Sequence, residues 1–146
     1  MDFSLLTIRK ATENDIDFLA DLRVKTMNEH LTNSGLLIDK DSQIQRILYK
    51  FEVANILIYK ETKIGLLKIQ YGKTEIEIIQ LQINPAFQGN GLGRYILNMI
   101  IEEASLTKTP ITLSVLKINP ALKLYLRTGF KIVEENEHSF IMKFWY

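Results

Sequence analysis

The chain has 146 residues, 47% of them hydrophobic, a size and composition that predict one globular domain over residues 1–146. Its 18 basic and 17 acidic residues leave a net charge of only +1, which argues against nucleic acid or an anionic membrane as a partner. The lack of cysteine excludes disulfides, thiolate metal sites and an acyl-cysteine intermediate.

The first third of the chain predicts a short strand over residues 6–9 followed by two helices. Thr12 precedes acidic residues, as is typical of a helix start. The first helix is then predicted from the helical spacing of Ile16, Leu19, Ala20, Val24 and Met27. A polar interval from His30 to Gly35 predicts a loop. The apolar face predicted for the second helix comprises Ile44, Ile47, Leu48 and Phe51.

From residue 55 onward, shorter apolar runs predict strands. The runs 56–59, 64–71 and 76–83 are separated by polar turns, which fits three consecutive strands. In the third run the apolar phase slips by one residue between Ile78 and Ile79. The slip favours a β-bulge, although a strand buried on both faces would give the same pattern.

The last third of the chain predicts a helix, a strand, a short helix and two closing strands. Asn119 and Pro120 are typical of a helix start, and Gly129 is typical of a left-handed C-cap. The five elements are predicted over residues 92–104, 111–116, 120–128, 130–133 and 139–145.

A glycine-rich segment, INPAFQGNGLGR over residues 83–94, lies between the third consecutive strand and the following helix. Glycines let backbone N–H groups face a ligand, and a helix N-terminus adds unpaired N–H groups and a positive dipole end. The segment therefore predicts an anion cradle, with a turn that binds nothing as the alternative. Arg94 either adds charge to this cradle or is a solvated surface side chain.

The spacing of Gly89, Gly91 and Gly93 excludes two common phosphate-binding patterns. The dinucleotide fingerprint GxGxxG does not fit glycines that are each two residues apart. The Walker pattern also fails, because no Gly-Lys pair is followed by Ser or Thr. Three consecutive strands before the loop differ from the alternation of a doubly wound fold. The interpretation that is left is a pyrophosphate cradle at the end of an antiparallel meander.

Two blocks of the sequence resemble the GNAT superfamily of N-acetyltransferases. Gln88, Gly91 and Gly93 satisfy its QxxGxG motif, and residues 115–130, VLKINPALKLYLRTGF, are similar to its C-terminal region. The predicted order of elements also agrees, so the resemblance covers essentially the whole chain. It implies a mixed α/β (α+β) fold, with a mostly antiparallel sheet of about seven strands flanked by about four helices.

The resemblance implies acetyl-coenzyme A as co-substrate, with no metal. The family holds the pyrophosphate on loop amides and lays the pantetheine arm along the preceding strand. Asn119 resembles a family contact to the cofactor arm, although a helix-capping role alone explains it. The residues implied in cofactor binding are Leu81, Gln82, Ile83, Gln88, Gly89, Asn90, Gly91, Leu92, Gly93, Arg94 and Asn119.

The resemblance also implies catalytic roles for two residues. Tyr125 matches the tyrosine that protonates the departing coenzyme A sulfur, and a buried core aromatic is the alternative. Glu77 matches the position of a carboxylate that deprotonates the amine in many members of the family. The alternative is that Glu77 is an exposed glutamate on a strand, without a catalytic role. Glu75 competes with Glu77 as the base. His30 and His138 lack the spacing of a metal site and are expected to have a surface or structural role, with a position beside the acceptor site as the alternative.

We therefore expect an enzyme, an N-acetyltransferase that moves an acetyl group from acetyl-CoA to a primary amine of a small metabolite or peptide. Attack would be direct, within a ternary complex. The alternative is an acetyl-CoA-binding sensor or interaction module with little transferase activity. Acidic residues near the N-terminus and the lack of a long apolar run predict a cytoplasmic protein. For the oligomeric state, a monomer and a homodimer are both expected to be compatible with the sequence.

Overall fold

The computed structural model describes the backbone of residues 1–33 and 40–146, and the side chains of residues 1–26 and 41–146. The helices are α1 Ile16–Asn33, α2 Lys40–Leu48, α3 Leu92–Ser105 and α4 Ala121–Thr128. The strands are β1 Leu6–Lys10, β2 Ala54–Tyr59, β3 Thr62–Tyr71, β4 Ile76–Ile83, β5 Ile111–Leu116, β6 Lys131–Glu135 and β7 Ser139–Phe144.

The seven strands follow the order β1-β2-β3-β4-β5-β7-β6 across one sheet. β1 pairs antiparallel with β2, β2 with β3, β5 with β7, and β6 with β7, whereas β4 pairs parallel with β5. This mixed, mostly antiparallel sheet with four helices confirms the expected fold class. No helix in the described part of the chain is long and apolar enough to cross a membrane.

The predicted strands β4 and β5 have the bounds expected from their apolar runs. Their parallel ladder covers three residue pairs, from Ile76↔Ile111 to Ile78↔Leu113, and β4 continues for five residues beyond it. The bulge expected in β4 stays a prediction. In other strand pairs, register shifts occur between Leu57 and Ile58 and between Ile132 and Glu134.

The predictions for α1 and α2 were wrong in two respects. His30 lies within α1 rather than in a loop, because the helix continues to Asn33. The last two residues of the predicted loop, Ser34 and Gly35, lie outside the described residues. The helix α2 ends at Leu48, so Phe51 falls in a separate 3-10 turn.

The buried face of α1 also differs from the predicted one. Leu19, Leu22 and Arg23 are buried, whereas Val24 is 56% exposed. These buried positions follow the three- and four-residue spacing of one helix face. The prediction used only the spacing of apolar residues, so it included Val24 and did not consider Arg23. On α2, Ile47 is buried, and Ile44 and Leu48 are exposed.

The chain divides into two compact units, and the single domain expected over residues 1–146 stays a prediction. The first unit comprises Met1–Lys68 and Gln80–Asn90. In it, α1 packs against α2. Its apolar core comprises Ala11, Leu19, Leu22, Ile47, Ala54, Ile56 and Leu66.

The second unit comprises Ile69–Ile79 and Gly91–Tyr146. Its helix α3 packs against α4, and the buried face of α3 contains Leu92, Ile96, Leu97, Ile100 and Ala104. A row of aromatic rings then leads from α4 to the C-terminus. The ring centroids lie 5.9 Å apart for Tyr125 and Phe130, 5.6 Å for Phe130 and Phe144, and 5.2 Å for Phe144 and Tyr146.

Candidate active site

The glycine-rich segment presents a row of unpaired backbone donors. Gly89 and Gly91 both have φ of +81°, a conformation that glycine adopts without steric cost. Gly91 is the N-cap of α3, and the first N–H of the helix with a backbone acceptor is that of Tyr95, bonded to the Gly91 carbonyl at 2.9 Å. The N–H groups of residues 89–94 have no acceptor among the described residues. Such a row fits an anion.

Side-chain hydrogen bonds hold the chain that leads into this row. Gln88 Nε2 donates to the carbonyl of Ile83, the last residue of β4, at 2.8 Å. The Asn84 side chain accepts from the Ala86 N–H at 3.0 Å, and Asn90 Nδ2 donates to the Phe87 carbonyl at 3.3 Å. The side chain of Gln88 therefore shapes the loop, in which Gly89 and Gly91 are exposed.

The end of β4 packs closely against β3 within the first unit. Gln82 is 6% exposed, and its Nε2 atom is buried with no hydrogen-bond partner among the described residues. Its carbonyl oxygen lies so close to Gly65 that a Cβ there would approach it to 2.5 Å. Leu81 and Ile83 are half-buried. Gly65 thus permits the close approach of the two strands at Gln82.

Tyr125 is buried on α4, 6% exposed, with its ring edge-to-face against Phe130. Burial raises the pKa of its hydroxyl to about 12. The phenol is therefore neutral at pH 7 and can donate a proton or a hydrogen bond. Gly129, at φ +114°, ends the helix, and the Phe130 N–H returns to the Tyr125 carbonyl at 3.0 Å. This C-cap fixes the Tyr125 and Phe130 rings relative to each other.

Asn119 caps the other end of α4. Its side-chain oxygen accepts a hydrogen bond from the Ala121 N–H at 2.9 Å, and its carbonyl accepts one from the Leu122 N–H at 3.0 Å. The capping role that the sequence predicts for Asn119 is confirmed, although Pro120 occupies the N-cap position itself. Its contact with the cofactor arm stays a prediction.

The two candidate bases differ in their surroundings. Glu77 is exposed on β4 opposite Thr112 of β5, and no ion pair joins it to any described residue. Glu75 lies before the strand, and Lys143 Nζ approaches its carboxylate at 3.2 Å. The carboxylate of Glu75 is therefore occupied by a cation in the folded protein. The geometry therefore favours Glu77 over Glu75.

A family model for the acetyltransferase (GNAT) domain matches residues 52–132. These residues are more than half of the chain and include the glycine-rich segment and Tyr125. The chain belongs to the GNAT acetyltransferase family. The resemblance carried by the QxxGxG motif is thereby confirmed.

Solved structures share the fold of this GNAT protein at low sequence identity. An acetyltransferase from Thermus thermophilus has 21% identity and a TM-score of 0.76 over 100% of both chains. The PaiA N-acetyltransferase from Thermoplasma acidophilum, in complex with coenzyme A, has 16% identity and a TM-score of 0.75, covering 97% of this chain and 99% of its own. Arabidopsis thaliana Naa50, in complex with the bisubstrate analogue CoA-Ac-MVNAL, has 16% identity and a TM-score of 0.68. The match covers 97% of this chain and 99% of the Naa50 chain.

The predicted site residues fall in both units of the GNAT chain. The first unit contains Leu81, Gln82, Ile83, Gln88, Gly89 and Asn90. The second unit contains Glu77, Gly91, Leu92, Gly93, Arg94, Asn119 and Tyr125. Leu92 is buried and anchors the start of α3, whereas Arg94 is exposed. No group of metal-ligating side chains occurs among the described residues, and His138 Nε2 lies 3.8 Å from Glu137.

Sequence reasoning missed the buried polar side chains of the first unit. Asp15, Arg23 and Lys68 are all buried, and Gln43 has a buried amide nitrogen without a partner among the described residues. A signal for Arg23 was present, because it lies four residues after Leu19 on the apolar face of α1. For Lys68, the signal was its position inside the apolar run of β3.

Proposed function

We propose that this GNAT protein binds acetyl-CoA and transfers the acetyl group to a primary amine by direct attack within a ternary complex. We also propose that residues 1–146 act as one domain in this reaction. The observation that carries the proposal is the row of unpaired N–H groups at residues 89–94, which opens α3 inside the QxxGxG motif. Backbone donors of this kind bind the oxygens of a pyrophosphate without needing a charged side chain.

The end of β4 supports the second part of cofactor binding. The ladder between β4 and β5 stops at Ile78, and Leu81 to Ile83 continue the strand beyond it. A peptide-like pantetheine arm can pair with a strand through amide hydrogen bonds. The proposal assigns Leu81, Gln82 and Ile83 to this contact. The proposal also assigns Asn119, at the start of α4, to cofactor binding.

The chemical step requires one bond to form and one to break. The nitrogen of a neutral amine forms a bond to the acetyl carbon, and the carbon–sulfur bond breaks. The proton lost by the amine passes to a base, for which Glu77 is the candidate, and the departing sulfur receives a proton from Tyr125. Because burial raises the pKa of Tyr125 to about 12, the phenol is protonated at neutral pH and is available as the donor.

The first test is a calorimetric titration with acetyl-CoA, followed by an assay of coenzyme A release with a panel of amines. We expect micromolar binding by the unaltered protein and loss of binding in Gly91→Glu, which places a carboxylate in the row of donors. Asn98→Glu is the matched control, since it adds the same charge to an exposed position of α3 away from its start. Circular dichroism would verify that both variants fold.

Three outcomes separate the competing functions. Binding with amine-dependent release of coenzyme A supports the proposal. Binding without release over the whole panel, and unchanged by Tyr125→Phe, would instead favour a sensor or interaction module. If the unaltered protein does not bind acetyl-CoA, the glycine-rich segment is only a turn and the enzymatic proposal is wrong.

A further inference from the structure

Two glutamine side chains near the end of β4 contain buried atoms that are not paired. Gln82 is only 6% exposed, and its Nε2 atom has no hydrogen-bond partner among the described residues. Two residues earlier, the Oε1 atom of Gln80 is also buried and unpaired within the described part of the chain. Buried side-chain N and O atoms are nearly always hydrogen-bonded in folded proteins. The two glutamines are therefore an exception that packing alone does not explain.

The unpaired atoms of Gln80 and Gln82 oppose folding. A buried donor or acceptor loses its hydrogen bonds to water and, without a partner, gains none in return. An apolar side chain of similar volume at either position would avoid this loss. Polar groups that a protein keeps buried and unpaired are typical of functional sites rather than of the core. A ligand that pairs with the two amides would explain their presence.

Both glutamines lie in the first unit, beside the residues of β4 that are proposed to hold the pantetheine arm. Residues two apart on a strand project from the same face, so Gln80 and Gln82 lie on one face, on either side of Leu81. The ladder that pairs β4 with β5 ends at Ile78, two residues before Gln80. The segment that carries the two amides is therefore the one that continues beyond the ladder.

The backbone of this segment is held against β3. The carbonyl oxygen of Gln82 would lie 2.5 Å from a Cβ at Gly65, and the Asn84 N–H donates to the Ile64 carbonyl at 2.8 Å. The amides therefore gain a partner by rotation of their side chains and not by movement of the strand. A chain that pairs with a strand lies about 4.8 Å from it, a distance within the reach of a glutamine side chain.

The two unpaired atoms define the chemistry of the ligand group. Gln82 Nε2 is a donor and needs an acceptor, whereas Gln80 Oε1 is an acceptor and needs a donor. A carboxylate offers no donor to Gln80, and an ammonium offers no acceptor to Gln82. An amide carries a carbonyl and an N–H in one uncharged, planar group, and so it matches both atoms.

We propose that the side-chain amides of Gln80 and Gln82 bind an amide group of the pantetheine arm of acetyl-CoA. This contact rests on the proposed function and extends it, because side chains as well as the backbone of β4 would then hold the arm. An arm displaced along the strand would leave both side chains unpaired again. Gln80 and Gln82 are thereby positioning residues for the cofactor.

The contact is tested with Gln82→Met and Gln80→Met, by calorimetric titration with acetyl-CoA and with adenosine 3′,5′-bisphosphate. The bisphosphate has the adenosine and phosphate end of the cofactor but lacks the arm. We expect each variant to bind acetyl-CoA about three- to tenfold more weakly, as for loss of one hydrogen bond, with an unchanged Kd for the bisphosphate. Gln45→Met, at an exposed position of α2, is the matched control and should change neither Kd.

Two further measurements do not depend on turnover. The assigned Nε2 amide signal of Gln82 in the NMR spectrum should shift when the unaltered protein is titrated with acetyl-CoA, and should not shift with the bisphosphate. This titration needs no variant, so it decides the contact even if a substitution prevents folding. Without ligand, Gln82→Met should melt at a higher temperature than the unaltered protein, because it removes an unpaired buried donor.

Three results would overturn the contact and leave the proposed function standing. The first is an unchanged Kd for acetyl-CoA in both variants, and a lower melting temperature of Gln82→Met beside it would assign the amide to folding alone. The second is an equal loss of affinity for both ligands, since the substitution would then have disturbed the whole site. The third is an Nε2 signal that does not respond to acetyl-CoA. If the unaltered protein does not bind acetyl-CoA, the proposed function itself is wrong, and the contact is refuted with it.

Discussion

The guanidinium of Arg9 donates to both carboxylate oxygens of Asp15, at 2.8 and 2.9 Å. Lys63 Nζ lies 2.7 Å from the same carboxylate, and the Thr12 N–H donates to it at 2.8 Å. Asp15 is fully buried, and these donors, Arg9 foremost, hold its pKa well below the usual range. One carboxylate thereby joins β1, β3 and the turn that precedes α1.

Asp15→Asn should destabilise the protein by about 2–3 kcal/mol at pH 7, since it leaves two cations beside a neutral amide. The pKa of Asp15 is lower in the folded state than its unfolded value of about 4. Its stabilising effect is therefore complete above that value and is lost as the pH falls towards the folded pKa. The free energy of unfolding should be measured in urea at neutral pH and at about pH 3 for the unaltered protein and for Asp15→Asn. The difference in this free energy between the two proteins should be smaller at about pH 3.

The control for this prediction is Asp21→Asn, which removes an exposed carboxylate that pairs with Lys25 on α1 at 2.9 Å. An exposed pair of this kind contributes little, so we expect a change within about 0.5 kcal/mol. Equal unfolding midpoints for the Asp15 and Asp21 variants would contradict a stabilising role for the buried carboxylate.

Lys68→Met tests whether a lysine completes the end of α2. Lys68 Nζ donates to the carbonyls of Arg46 and Ile47 at 2.9 Å and to that of Tyr49 at 2.5 Å. The last carbonyls of a helix have no partner within the helix, so a buried ammonium can pair with them. We expect a loss of about 2 kcal/mol in the free energy of unfolding, because relief of the buried charge offsets part of the lost hydrogen bonding.

Hydrogen exchange distinguishes this role from a general loss of packing. In Lys68→Met the amides at the C-terminal end of α2 should exchange faster before those of β3 do. Lys10→Met, on the exposed end of β1, is the control and should change neither the exchange rates nor the free energy of unfolding. Uniformly faster exchange across the first unit would show that Lys68 is needed for packing rather than for the helix end.

The sequence predicted the sheet and the glycine-rich segment better than the helices of the first unit. The strands β4 and β5 have the predicted bounds because turns or prolines flank segments rich in β-branched and other apolar residues. The loop was found because glycines at fixed spacing and a helix start are local features. The buried face of α1 was not predicted, because buried Arg23 is paired with Gln43, which is twenty residues away in sequence. Likewise, the hydrogen bond from Gln88 to Ile83 requires the folded loop.

Gly65→Ala should destabilise the protein by about 2–3 kcal/mol, the cost of overpacking a site that cannot give way. The new Cβ would lie 2.5 Å from the carbonyl oxygen of Gln82 and 2.9 Å from Leu57 Cδ1. Because the first of these atoms belongs to the backbone, β3 and β4 must move apart. The displacement falls on the segment proposed to hold the pantetheine arm, so the Kd for acetyl-CoA should also rise.

Gly89→Ala separates steric overlap from backbone strain. No atom lies within 4 Å of a Cβ at Gly89, but its φ of +81° disfavours any other residue. We expect a loss of about 1 kcal/mol from this strain alone. The stability of the two variants is compared by thermal unfolding. If Gly65→Ala were no less stable than Gly89→Ala, the close approach of Gly65 to Gln82 would be contradicted.

Tyr125→Phe removes the proposed proton donor and keeps the ring that packs against Phe130. We expect kcat to fall by about 10²-fold or more, with an unchanged Kd for acetyl-CoA, as for loss of a general acid. Tyr146→Phe is the control, since its ring ends the same aromatic row and its hydroxyl donates to the Ile101 carbonyl at 2.6 Å. The control should lose some stability and keep its kcat.

The pH dependence of Tyr125→Phe is a stricter test than its rate. Burial raises the pKa of Tyr125 to about 12, so the hydroxyl should remain protonated at every pH at which the enzyme is assayed. The ratio of kcat between the unaltered protein and the variant should therefore stay constant from neutral pH to about pH 10. A ratio that falls on the alkaline side would mean that Tyr125 ionises in that range, in an environment less apolar than the aromatic row provides. A constant ratio near one would assign Tyr125 to packing alone and leave the sulfur to be protonated by water or by another group.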